Sequence, residues 1–71
     1  MSRWITADSE AIDSFRYNEA SNTLRVRFTS GGQYDYLYTP ASVFEALKAA
    51  PSKGGFFARH IRDRFLFRKV A

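Results

Sequence analysis

Residues 23–38 hold two alternating arms around a pair of glycines, and this pattern limits the fold more than any other stretch of the chain. Leu24, Val26 and Phe28 interleave with Arg25 and Arg27, while Tyr34, Tyr36 and Tyr38 interleave with Gln33, Asp35 and Leu37. A period of two on both sides of a turn signal is the mark of an antiparallel hairpin. Loop length then decides which residues share a face. A two-residue loop at Gly31 and Gly32 sets the arginines beside the tyrosines, a platform on which nucleic-acid bases could stack. A three-residue loop, Ser30, Gly31 and Gly32, sets Phe28 opposite Tyr34, Val26 opposite Tyr36, Leu24 opposite Tyr38, and Arg27 opposite Asp35. A slip of one residue sends a whole apolar row to water, so the three-residue loop is expected, with the tyrosines mostly in the core.

At 71 residues, the chain reads as a single domain, 1–71, near the lower size at which one core suffices. Seven Phe, four Tyr and one Trp supply large apolar area per residue, and with no cysteine neither a disulfide framework nor a thiolate metal site is available. No apolar run approaches the roughly 20 residues of a membrane span, and Met1 to Trp4 lack a signal-peptide core. A cytoplasmic protein with no membrane partner is expected. The net charge of +4 is unevenly spread: residues 51–71 hold Lys53, Arg59, Arg62, Arg64, Arg68 and Lys69 against Asp63 alone, whereas residues 1–50 are slightly acidic.

Residues 1–9 read as a lead-in anchored by Trp4 and Ile5, and 10–71 as the globular body. Residues 11–17 read as the first strand, with Asp13, Phe15 and Tyr17 on one side and Ser14 and Arg16 on the other. The turn formers of 18–22 suit a hairpin into the second strand. Thr39 and Pro40 signal a helix start, the threonine oxygen as cap and the proline at the first helical position. Val43, Phe44 and Leu47 make that helix's buried stripe. Pro51 stops it, and Ser52 caps a second helix carrying Phe56, Phe57, His60 and Ile61. Residues 65–70 alternate weakly and read as a short edge strand or an extended tail. The expected architecture is α+β, a three-stranded antiparallel meander followed by two helices packed on one sheet face.

Candidate binding residues fall in three groups. Lys53, Arg59, Arg62, Arg64 and Arg68 form a basic C-terminal set, with Arg59 and Arg62 one helical turn apart and able to hold phosphate through paired donors. Arg16, Arg25 and Arg27 form a second. Aligning Tyr17 with Leu24 sets Arg16 opposite Arg25, a like-charge pair that an anion would relieve. The third is the helix start at Ser52, Lys53, Gly54 and Gly55, where free N–H groups and a positive dipole end suit an anion. The glycine and lysine spacing of a P-loop is absent there, and Ser52 as an ordinary cap explains the same residues. A solvated exterior likewise explains the arginines. His60 is the single histidine and lacks a carboxylate pair at ligand spacing, so no metal or cofactor is expected. The acids are scattered and no nucleophile stands beside a base, so catalysis is not expected.

Ile12, Tyr17, the alternation of Leu24, Val26 and Phe28, and the central Tyr34-Asp35-Tyr36 together resemble the KTSC domain, a module named for its place at the C-terminus of some lysyl-tRNA synthetases. The resemblance continues through Pro40, Val43, Phe44, Leu47, residues 50–54, Phe57, His60, Ile61, Arg62 and Phe65. It covers roughly residues 12–70. The family also occurs as stand-alone bacterial and phage-encoded proteins, which this chain is more similar to, and RNA binding is the function the resemblance implies. Ala58 stands where the family pattern has asparagine, and Phe65-Leu66-Phe67 where it often has tyrosine, proline, tyrosine; both departures remove polar atoms. The expected function is a non-catalytic nucleic-acid-binding module, RNA foremost, gripping phosphates with its basic C-terminal helix and tail. The alternatives are docking on an acidic protein partner and capture of a small nucleotide or anion at residues 52–55.

Overall fold

In the computed structural model, which describes residues 3–71, the elements run β1 (Ile5–Thr6), β2 (Ile12–Asn18), β3 (Thr23–Phe28), β4 (Gln33–Tyr36), α1 (Ala41–Ala49), α2 (Lys53–His60) and β5 (Phe67–Lys69). The strands form one antiparallel sheet whose spatial order follows the chain. Among the described residues there are five strands, four of them before the helices, where a three-stranded meander was expected. β1 lies in the segment read as a lead-in and is too short for a period of two to show. β5 resolves residues 65–70 in favour of an edge strand, paired to β4 with Tyr36 opposite Phe67 and Tyr34 opposite Lys69.

The central turn lies one residue earlier than expected. Gly31 N–H donates to Phe28 O at 2.9 Å, Phe28 N–H donates to Gly32 O at 2.9 Å, and Gly31 sits at φ +107°. The left-handed position of the glycine bulge therefore falls on Gly31, and the loop is Thr29, Ser30 and Gly31. Moving the loop by one residue moves the pairing by two: Val26 faces Tyr34, Leu24 faces Tyr36, and Arg25 rather than Arg27 faces Asp35. A shift of two preserves faces, so Tyr34 and Tyr36 still share a side with Leu24 and Val26. Tyr38, expected opposite Leu24, has instead left the strand; it adopts φ +53° and is 76% exposed.

Two further expectations are corrected. Ile12 pairs with Phe28 but Ser14 with Arg27, which leaves Asp13 as the extra residue of a β-bulge. The bulge turns Ile12 into the core beside Phe15 and Tyr17 and puts Asp13, expected on their side, in solvent. Thr39 is no helix cap: its hydroxyl points back to Tyr36 O at 3.1 Å, its N–H donates to Asn22 O at 2.8 Å, and Pro40 is the N-cap residue of α1 without a side-chain bond. Ser52 does cap α2, accepting from Gly55 N–H at 3.2 Å.

Both helices lie on the face that carries the apolar rows. Phe44 of α1 stacks on Tyr17 at 5.0 Å and meets Phe15 edge-on at 6.0 Å, while Phe57 of α2 meets Phe28 and Tyr36 edge-on at 5.4 and 5.3 Å. Leu47 and Ile61 complete the buried helical side. Tyr17 OH donates to Thr39 O at 2.6 Å, which ties β2 to the approach of α1. The opposite face of the sheet is covered by no helix among the described residues.

Candidate nucleic-acid interface

Alternation along the strands puts Arg16, Arg25, Arg27, Asp35 and Arg68 on the bare face, out of phase with the core rows. Arg16 stands opposite Arg25 as expected, Arg25 opposite Asp35, and Asp35 opposite Arg68. One residue before β1, the same register brings Trp4 beside Arg16, whose guanidinium carbon lies 4.8 Å from the indole centroid; that of Arg27 lies at 4.1 Å. Trp4, Arg16, Arg25, Asp35 and Arg68 thus make one row across the sheet, with Arg27 beside it.

Asp35 organises the row. Arg25 Nε donates to Oδ1 at 2.7 Å and Arg25 Nη2 to Oδ2 at 3.1 Å, while Arg68 Nη2 reaches Oδ2 at 3.5 Å. The hydrogen bond from Arg25 holds the Asp35 carboxyl below the usual carboxylate range against the opposing effect of burial, and the same bond raises Arg25. Arg25 spends two N–H donors on Asp35, and a guanidinium has about five, so about three remain for a further acceptor. Asp13, the bulge residue, accepts from the Ser14 hydroxyl at 3.0 Å.

The C-terminal basic set does not form one surface. Arg68 joins the sheet face, whereas Arg59 and Arg62, expected on a shared helical face, border different cavities. Arg59 lines one of about 240 Å³ with Phe56 and His60, and Arg62, beyond the end of α2, lines one of about 500 Å³ with Tyr34, Tyr36 and Phe67. Arg64 is exposed, and Lys53 turns back to donate to Ala50 O at 3.1 Å. At the start of α2, Ser52, Lys53 and Gly54 share a cavity of about 410 Å³ with Asp8 and Glu10, whose carboxylates oppose an anion there. His60 is exposed, its ring 4.7 Å from that of Phe56. Among the described residues no cluster of His, Cys, Asp or Glu is suited to hold a metal ion, and no helix is long and apolar enough to cross a membrane.

Trp4 is the member of this site that sequence reasoning missed as a functional residue. Its signal is weak, a lone aromatic before a two-residue strand, and only the pairing of β1 with β2 brings it to the arginines.

The fold and this face define a small α+β module with helices on one side of a sheet and arginines on the other. The KTSC domain profile matches residues 8–65, and the chain belongs to the KTSC domain family. It is 38% identical over 67 residues to a lysine–tRNA ligase of Nostoc punctiforme, an alignment that takes in 94% of this chain and 12% of the ligase. The chain thus spans about an eighth of that relative's length. A protein of Tsukamurella paurometabola is 40% identical over 58 residues and is matched over 87% of its own length. The crystal structure of a KTSC domain protein from Yersinia pestis superposes with a TM-score of 0.93 at 32% identity, covering 97% of both chains.

Proposed function

We propose that this chain is a non-catalytic nucleic-acid-binding module, RNA foremost, that holds phosphates on the bare face of its sheet. The observation that carries this reading is the row of Trp4, Arg16, Arg25, Asp35 and Arg68 with Arg27 alongside, four guanidinium groups on a surface left open by the helices. Guanidinium matches phosphate with two parallel donors, and Asp35 pre-orients Arg25, which lowers the entropy lost on binding. The relatives that are named lysine–tRNA ligases act on a tRNA, which favours RNA as the polymer.

Trp4 is the sole tryptophan, so its fluorescence reports on this face directly. Titration with tRNA and with a single-stranded oligonucleotide is expected to change that emission, with affinity falling as salt rises. Replacing Arg27 and Arg68 by Gln should weaken binding and lower the salt slope by about 0.7–1 per arginine removed. The same exchange at Arg59, on α2, should leave the slope nearly unchanged. Equal affinity of the Arg27 and Arg68 variant for every nucleic acid tried would refute the assignment.

A further inference from the structure

We infer that β5 and the groove beside it form a docking site for an extended, acidic segment of a partner protein, which adds to the sheet as a further strand. The hydrogen-bond pattern identifies the free backbone groups. Val70 N–H donates to Gln33 O at 2.7 Å and Leu37 N–H donates to Leu66 O at 2.8 Å, so residues 66, 68 and 70 turn their backbone toward β4. Antiparallel ladders alternate, so the N–H and C=O of Phe67 and Lys69 face away from the sheet. β5 ends the strand order, and among the described residues nothing pairs with that edge.

The surroundings of the edge are unusual for a bare strand. Leu66, Phe67 and Val70 are 68%, 57% and 40% exposed, three of the four large apolar side chains left in solvent among the described residues. Phe67 leans on Tyr34 and Tyr36, with ring centroids 5.8 Å away in each case, and forms one wall of the groove of about 500 Å³ that Phe28, Phe57 and Arg62 also line. On the sheet's other side, Arg68 is two-thirds exposed despite its contact with Asp35.

Charge selects the occupant. Arg68 and Lys69 lie on the edge strand, Arg62 lines the groove beside it, and Asp63 is the single acid beyond Ile61. A second copy of the chain would bring two such sets together, and pairing centred on Arg68 would set that arginine against its own counterpart. An acidic segment gains where a second copy loses. The strand period places its alternate residues on opposite faces, so the matching pattern has apolar side chains on the helix side, against Phe67 and the groove, and carboxylates on the outer side, near Arg68.

The test is a titration of the isotope-labelled chain, followed by NMR, with a capped peptide alternating glutamate and valine, beside one with lysine for glutamate and one methylated on the backbone nitrogens that would face β5. The acidic peptide is expected to shift the amides of Phe67 and Lys69 most, with the lysine and methylated peptides inactive. Phe67→Asp should weaken binding about tenfold or more. Because the methylated peptide leaves the protein untouched, the test stands even if a variant fails to fold. The inference is overturned by equal shifts with the lysine peptide, by no shift at residues 66–70, or by a concentration-dependent dimer that Phe67→Asp abolishes. It is also overturned if a single-stranded RNA oligonucleotide perturbs these residues in place of the peptide. Arg68 belongs to both surfaces, so the nucleic-acid reading is scored on Trp4 emission and on an Arg27→Gln variant, which lie outside the peptide's reach.

Discussion

Asp35 is 1% exposed, yet it lies on the face of the sheet that no helix covers, because Arg25 and Arg68 close over it. A buried carboxylate is tolerated only when paired, and here the hydrogen bond from Arg25 outweighs desolvation and lowers its pKa. A depressed folded pKa adds stability that is complete above the unfolded value of about 3.9 and fades as pH falls through the lower folded value. Asp35→Asn is therefore expected to cost about 2–3 kcal/mol at neutral pH in a denaturant titration, with the gap to the parent chain closing as pH falls below the unfolded value of about 3.9. A neutral-pH midpoint equal to that of the parent would show the pair to be ornamental. Tyr36 shows the opposite balance: burial, followed by the neighbouring Tyr34, pushes its phenol up to about 12, so it stays neutral at the groove floor.

The β3–β4 hairpin shows how much an element owes to one glycine. Gly31 sits at φ +107° with open space around it, so an added Cβ meets no atom and its cost is conformational; at Gly32 a Cβ makes ordinary contact with Tyr34 at 3.5 Å. Gly31→Ala is expected to destabilise by about 1–2 kcal/mol, and Gly32→Ala to be neutral or stabilising by about 0.4–1 kcal/mol through the unfolded chain. Reversal of that order in thermal melts would contradict the loop placement. The two strands were legible from their alternation because each has one buried face. Which of two adjacent glycines takes the left-handed position was not, since both satisfy the same local rule. The Asp13 bulge was hidden for a related reason: an extra residue breaks the period of two, and the break emerges only when Ile12 and Ser14 find different partners.

At the scale of the molecule, α1 and α2 divide one sheet face between them, and the core depends on a few rings. Phe56 and Phe57 are neighbours of the same kind, but only Phe57 is buried against the sheet, while Phe56 lies against the exposed His60. Phe57→Ala should cost about 3 kcal/mol, which for a domain of this size lowers the melting temperature by about 12–24 °C. Phe56→Ala should shift it by only a few degrees; equal losses would mean that α2 packs in another rotation. Helical spacing alone did not separate the two, since both suited a buried stripe. The same division of faces splits the basic residues, which sequence position had grouped at the C-terminus: Arg68 lies with Arg16, Arg25 and Arg27, while Arg59 and Arg62 border cavities beside α2. Local pattern and turn chemistry determined the types of β2, β3, β4, α1 and α2, the capped second helix, the burial of Tyr36 and the facing of Arg16 by Arg25, because each depends on neighbours a few residues away or on strands joined by a short turn. The row from Trp4 to Arg68 was decided by tertiary structure alone. Its ends are 64 positions apart in the chain and come into one line only when β1 and β5 have each found a strand to pair with.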